Sequence, residues 1–341
     1  MVDARTLLRD LVSTPSVSGG EGAAARVLRD AFAAADREVW LDAVGNVRAP
    51  ADDALLLTSH VDTVPGEIPV REEAGELWGR GAVDATGPLA AMAVAAIETG
   101  ASFAGVVEEE TTSRGARHVV ETRDPPAAVL NGEPSGWDGV VLGYRGFLRG
   151  TFAATVPSAH TARDDANAIQ RAMDWWQATT DALDTDGEPA FERFTATPVS
   201  VDGGVAEDGL ATEATLEATF RLPPGAHAEA VREVGEAAAD SGAGGGAIDW
   251  GEPIPPVMAS PRNPVARALR AGIRAEGGEP THLRKTGTSD MNLYADAWDV
   301  PMATYGPGDS ALDHAPDERL DLAAFDRSVA VLTRVAERLI G

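Results

Sequence analysis

The chain has 341 residues, with 28 Lys and Arg against 54 Asp and Glu, a formal charge of −26, and no cysteine. Such acidity repels a phosphate backbone and excludes nucleic acid as a partner. The lack of thiols excludes disulfides and thiolate chemistry, so any metal site must be built from His and carboxylates.

Apolar spacing predicts two amphipathic helices, at 3–12 and 20–35, separated by "TPSVSGGEG". Neither a basic start nor a continuous apolar run occurs here, so no signal peptide or membrane span is expected, and the protein is read as cytoplasmic. Strand-like "REVWLDAVGNVRA" and the apolar "ALLLTSHVD" follow, then a turn-rich stretch and the buried helix "PLAAMAVAAIETG". Strand "SFAGVVEEE", helix "SRGARHVVETR" and strand "AAVLNGEP" continue an alternation that predicts an α/β layer with a mostly parallel sheet.

From Tyr144 the texture changes to alternating strands, "GYRGFLRGTFAATV" and "ATEATLEATFRLP", with helices "NAIQRAMDWWQATTDAL" and "HAEAVREVGEAAAD". Strand-helix-strand-strand-helix content predicts an inserted α+β domain over 144–252 within a catalytic domain formed by 1–143 and 253–341. The second part of that domain reads as helix "NPVARALRAGIRAEG", a loop "THLRKTGTSDMNLYADAW", strand "VPMATYGPG" and a terminal helix.

Chemistry-bearing residues sit where the predicted strands end: His60-Val61-Asp62, Glu109-Glu110 and Glu133, with Asp84 in a Gly-rich turn and His314 near the end of the chain. In open α/β sheets, sites gather at carboxyl strand ends. His60-x-Asp62 suits a metal imidazole held in one tautomer, and equally a histidine that is merely hydrogen-bonded. Asp84 suits a carboxylate aimed inward or a helix cap. Glu109 and Glu110 are either a ligand and a base beside a compensating cation or a solvated acidic turn.

The stretches "SHVDTVPG", "LWGRGAVDATGPLAAM", "VVEEETTSRGARH", "LNGEPS", "PSAHTARDDANAI" and "YGPGDSALDHAPDERL" resemble, in order and over essentially the whole chain, the co-catalytic zinc aminoacylase/carboxypeptidase family that includes acetylornithine deacetylase and succinyl-diaminopimelate desuccinylase. The resemblance implies a zinc-peptidase-like catalytic domain and a lid through which the protein dimerises. It implies two divalent cations bridged by Asp84, with His60 and Glu133 at one and Glu110 and His314 at the other. Zinc is favoured, with cobalt or manganese admitted by the same donors. Glu109 is then the general base, Asp62 the partner of His60, and His160 an oxyanion donor reaching a partner subunit's site, with Asn167 beside the substrate. A cis peptide at Asp84-Ala85 is also implied.

The only lysine, Lys285, stands in "KTGTSDMN", where a compact ammonium suggests a held carboxylate. This run is most similar to the branch that releases lysine or ornithine from an amino-group carrier protein in lysine and arginine biosynthesis. Arg145, Arg221 and Arg284 are candidates for the substrate's carboxylates, and Asp290 and Glu108 for its terminal ammonium. An acetylornithine or acetyl-lysine deacetylase, a dipeptide carboxypeptidase and an inactive scaffold are the competing readings. Lysine avoidance beside so many acids also resembles proteins of salt-loving archaea, whose carboxylate surfaces are screened by concentrated salt.

Overall fold

The computed structural model describes residues 2–160, 165–183, 189–241 and 245–341. The chain divides into two compact units: Met1–Leu142 with Ala259–Arg284 and Ser289–Gly341, and Gly143–Met258 with Lys285–Thr288.

The first unit is built on a sheet whose four central strands, Ala101–Val106, Asp52–His60, Val129–Gly132 and Met302–Gly306, run parallel in that order. Antiparallel neighbours flank them: Val47–Ala49 pairs with the first and Gly136–Tyr144 with the last. The central strands read as continuous apolar runs because both faces are covered; Leu55, Leu56 and Leu57 are all fully buried.

One covering helix, Thr86–Thr99, is apolar on every side and buried from Thr86 to Ala96. A helix of that composition belongs inside a core. It packs against Leu322–Ile340, Ala4–Val12 and the strands, and stops at Gly100, whose φ of 80° needs a residue without Cβ.

Register fixes where the functional side chains emerge. His60 pairs with Val106, Ser59 with Gly132, and Asn131 with Thr304, so these parallel strands end together. Chain leaving that edge carries Asp62, Glu109, Glu110 and Glu133.

The second unit holds an antiparallel sheet in the order Thr195–Val205, Ala211–Leu222, Gly146–Pro157, Ala247–Trp250, with helices Ala168–Ala182 and Ala228–Asp240. Strand Ala211–Leu222 alternates buried and open positions, as a sheet with one covered face requires. Its core stacks Phe152 on Trp175 at 5.0 Å, with Phe220 fully buried nearby.

One segment departs from expectation. The segment read as a loop at 281–298 contains strand Thr281–Lys285 and helix Asp290–Ala297. Ser289 starts that helix by accepting from the Met291 amide, in a capping box with Asn292; polar residues here serve as a helix signal rather than a loop signal. Strand Thr195–Val205 is the first of the two strands expected between the helices; it lies at the sheet's edge, open to solvent along most of its length. No helix among the described residues is long and apolar enough to cross a membrane.

Candidate active site

His60 closes strand Asp52–His60 and is 2% exposed. Its Nδ1 donates to the Asp62 carbonyl oxygen at 2.9 Å, so Nε2 is the nitrogen that can offer a lone pair to a cation. That nitrogen faces Asp84 Oδ1 at 3.2 Å. The other oxygen, Asp84 Oδ2, is 3.3 Å from His314 Nε2, and His314 Nε2 is in turn 3.0 Å from Glu110 Oε1. One carboxylate therefore stands between two imidazoles, offering each a different oxygen. Ligand atoms of His60, Asp84 and Glu110 all lie within 4.8 Å of one another. The peptide bond Asp84-Ala85 is cis.

The loop after strand Ala101–Val106 turns at Glu108, whose φ of 58° is left-handed, and its carbonyl accepts from the Thr112 and Ser113 amides. Asp62, fully buried, grips the same loop: Oδ1 accepts from the Glu109 amide at 3.0 Å and Oδ2 from the Glu110 amide at 3.1 Å. Ser18 adds a hydroxyl donor at 2.7 Å. Asp62 thus meets His60 through its carbonyl and, at 3.5 Å from Nδ1, through Oδ1, while the same carboxylate accepts from the Glu pair. Asp62→Asn turns one of these acceptors into a donor facing donors, and is expected to lower kcat by about 10–100-fold, read from steady-state kinetics. Unchanged kcat would show that the grip has no catalytic consequence.

The helix that follows packs tightly under the loop. A Cβ on Gly115 would lie 2.4 Å from the Val107 amide nitrogen and 2.5 Å from Asn46 Oδ1. Backbone cannot yield cheaply, so Gly115→Ala is expected to cost about 1–3 kcal/mol in denaturant unfolding.

Burial, then the charge of Glu133, holds the Glu109 carboxyl well above the usual carboxylate range. Glu133, 8% exposed, follows strand Val129–Gly132. The hydrogen bond to Asp84 leads the effects that raise His314 to about 9. Four crowded carboxylates, Asp84, Glu109, Glu110 and Glu133, carry the charge that two divalent cations would balance, and like charges this close are costly otherwise. The donor set, with Asp84 facing both imidazoles, fits such a pair of cations.

Glu108 turns away from this chemistry, ion-paired with Arg114 at 2.7 Å and accepting from the Thr112 hydroxyl. Asp290, at the first turn of its helix, is 2% exposed, and burial raises it to about 7. It is hydrogen-bonded with Ser113, and its buried Oδ1 has no hydrogen-bond partner.

Arg284 is exposed, whereas Lys285 is half-buried and opens the short Lys285–Thr288 segment of the second unit. There Arg145 is buried, donating to the carbonyls of Thr286 and Ala190 and to Thr195 Oγ1. Arg221 donates to Thr288 Oγ1 at 3.4 Å and lies over Phe147. Burial, then the neighbouring charges of Arg221 and Arg193, lowers Arg145. Asn167 caps helix Ala168–Ala182, accepting from the Gln170 amide; His160 is exposed.

Sequence reading missed Ser18 and the grip of Asp62 on the Glu loop. Ser18 carries no local signal, since its partner Asp62 is far along the chain.

A mostly parallel sheet whose strand ends converge two imidazoles and several carboxylates on one carboxylate has the makings of a metal-binding hydrolase. The chain belongs to peptidase family M20/M25/M40, whose sequence profile matches residues 56–338. It is 44% identical to the LysW-lysine hydrolase of Deinococcus radiodurans, with 99% of this chain and 97% of that protein covered. It is 28% identical to the LysW-lysine/LysW-ornithine hydrolase of Saccharolobus islandicus, with 94% and 91% covered. Among solved structures, a metallo-carboxypeptidase of family M20 from Sulfolobus solfataricus shares the fold over 100% of both chains, at a TM-score of 0.82 and 17% identity.

Proposed function

We propose that this protein hydrolyses the amide that joins lysine or ornithine to an amino-group carrier protein, freeing the amino acid in a cytoplasmic biosynthetic route. The observation that carries the hydrolytic chemistry is Asp84, with one oxygen toward His60 and the other toward His314. The choice of substrate is supported by the 44% identity to a LysW-lysine hydrolase over nearly the full length of both chains.

In this reading His60, Asp84 and Glu133 hold one divalent cation, and Asp84, Glu110 and His314 the other. Bound there, the cations supply Lewis-acid polarisation of the scissile carbonyl and acidify water. Glu109, raised by burial and by Glu133, takes the proton of the attacking water and hands it to the departing amine. Asp62 fixes where Glu109 stands by holding its amide.

Asp290, buried with an unpartnered oxygen, is assigned to the substrate's terminal ammonium. The positive charge gathered by Arg145, Arg221 and Lys285 in one unit supports a carboxylate-binding role for that unit, with Arg284 a further candidate. His160 is assigned the oxyanion hydrogen bond and Asn167 a place beside the substrate. A dimer formed through the inserted unit is supported by its edge strand Thr195–Val205, where Val201 and Val205 are exposed; open edges invite pairing with another chain.

The test is turnover of carrier-lysine, carrier-ornithine, acetyl-lysine and acetylornithine by purified protein in concentrated salt, with zinc, cobalt or manganese added. Preference for a carrier-linked substrate is expected. Faster turnover of an acetylated amino acid would replace this reading with that of a deacetylase.

A further inference from the structure

Glu318 lies four residues beyond His314, just before strand Arg319–Asp321, and takes no part in the arrangement described so far. Its side chain is 1% exposed yet fully engaged. Oε1 accepts from the amides of Val83 at 2.8 Å and Asp84 at 3.1 Å. Oε2 accepts from the Gly81 amide at 3.0 Å and from Arg80 Nη1 at 2.8 Å. Two carboxylate oxygens have room for about four such donors, so this set satisfies the group completely.

Arg80 extends the connection. Its Nη1 also donates to the Ala315 carbonyl, and its Nε to the Gly66 carbonyl, each at 3.2 Å. The Gly79 amide donates to the Glu318 carbonyl at 3.4 Å. The segment 79–84 leaves strand Glu76–Trp78 and reaches helix Thr86–Thr99 without strand pairing of its own. Its orphan amides find their acceptor in one side chain, which meets the requirement that buried backbone groups be paired.

We infer that Glu318, braced by Arg80, is a positioning residue that locks the Asp84 loop to the His314 turn and so sets the separation of these two side chains. A buried ion pair is an expensive way to gain stability alone, since desolvation offsets much of the attraction. Here the charge does something an apolar pair cannot: it receives three consecutive-region amides and returns the guanidinium to the carbonyl next to His314. The inference rests on the reading of Asp84 and His314 as cation ligands.

The experiment titrates metal-free full-length protein with zinc by calorimetry and records the visible spectrum of the cobalt-loaded form, for wild type, Glu318→Gln and Arg80→Lys. Glutamine replaces one acceptor oxygen by an amide donor that faces donors. Glu318→Gln is expected to weaken zinc binding by about 10–100-fold and to change the cobalt spectrum. Arg80→Lys keeps the charge without the planar fork, and is expected to produce a smaller loss of the same kind. A folded Glu318→Gln that binds zinc as wild type does, with an unaltered cobalt spectrum, overturns the inference. Should Glu318→Gln not fold, Arg80→Lys decides by the same two readouts. Failure of wild type itself to bind zinc would instead defeat the ligand reading of Asp84 and His314.

Discussion

Glu109→Ala is expected to lower kcat on a carrier-linked substrate by about 10²–10⁴-fold, the range over which a positioned general base contributes, while both cations remain bound. The two halves of this expectation come from different features. The proposed ligands are His60, Asp84, Glu110, Glu133 and His314, three of which have ligand atoms within 4.8 Å of one another, and truncating Glu109 removes none of them. Its carboxyl is held high by burial and by Glu133, and its amide is fixed by Asp62 at 3.0 Å. In the proposed reading this carboxylate holds no cation and carries a proton between water and amine. Kinetics with elemental analysis of the same preparation checks both halves together. Loss of metal along with activity would make Glu109 a ligand, and retained activity would remove it from the mechanism.

How far the site was legible in the sequence follows from what each residue depends on. His60, Glu109, Glu110 and Glu133 follow apolar runs that read as buried strands, and the parallel register brings those strand ends together. Asp84 and His314 come from irregular segments, and only the likeness to a family tied them to the others. Glu318 and Ser18 were illegible because their meaning is a contact across hundreds or tens of residues. Glu108, adjacent to the functional pair, looks equivalent to it in sequence; a left-handed backbone at that residue turns it outward to Arg114. Helix Asp290–Ala297 reads as a loop in the sequence because its start is written in cap chemistry rather than apolar period.

Asp84→Ala is expected to empty both cation positions, where His314→Ala weakens one. Each oxygen of Asp84 addresses a different imidazole, at 3.2 Å and 3.3 Å, so a single truncation removes a donor from both positions. The lost polarisation is worth several kcal/mol, and at about 1.4 kcal/mol per tenfold activity is expected to fall by about a thousandfold or more. Thermal unfolding gives a readout independent of turnover. A ligand that binds only the folded state stabilises it by about 2.7 kcal/mol per site at a hundred times its dissociation constant. Zinc is therefore expected to raise the melting temperature of wild type and of Glu109→Ala, and to leave Asp84→Ala where the metal-free protein melts. An Asp84→Ala variant that still gains stability from zinc would show that the imidazoles and glutamates hold the cations without a bridge.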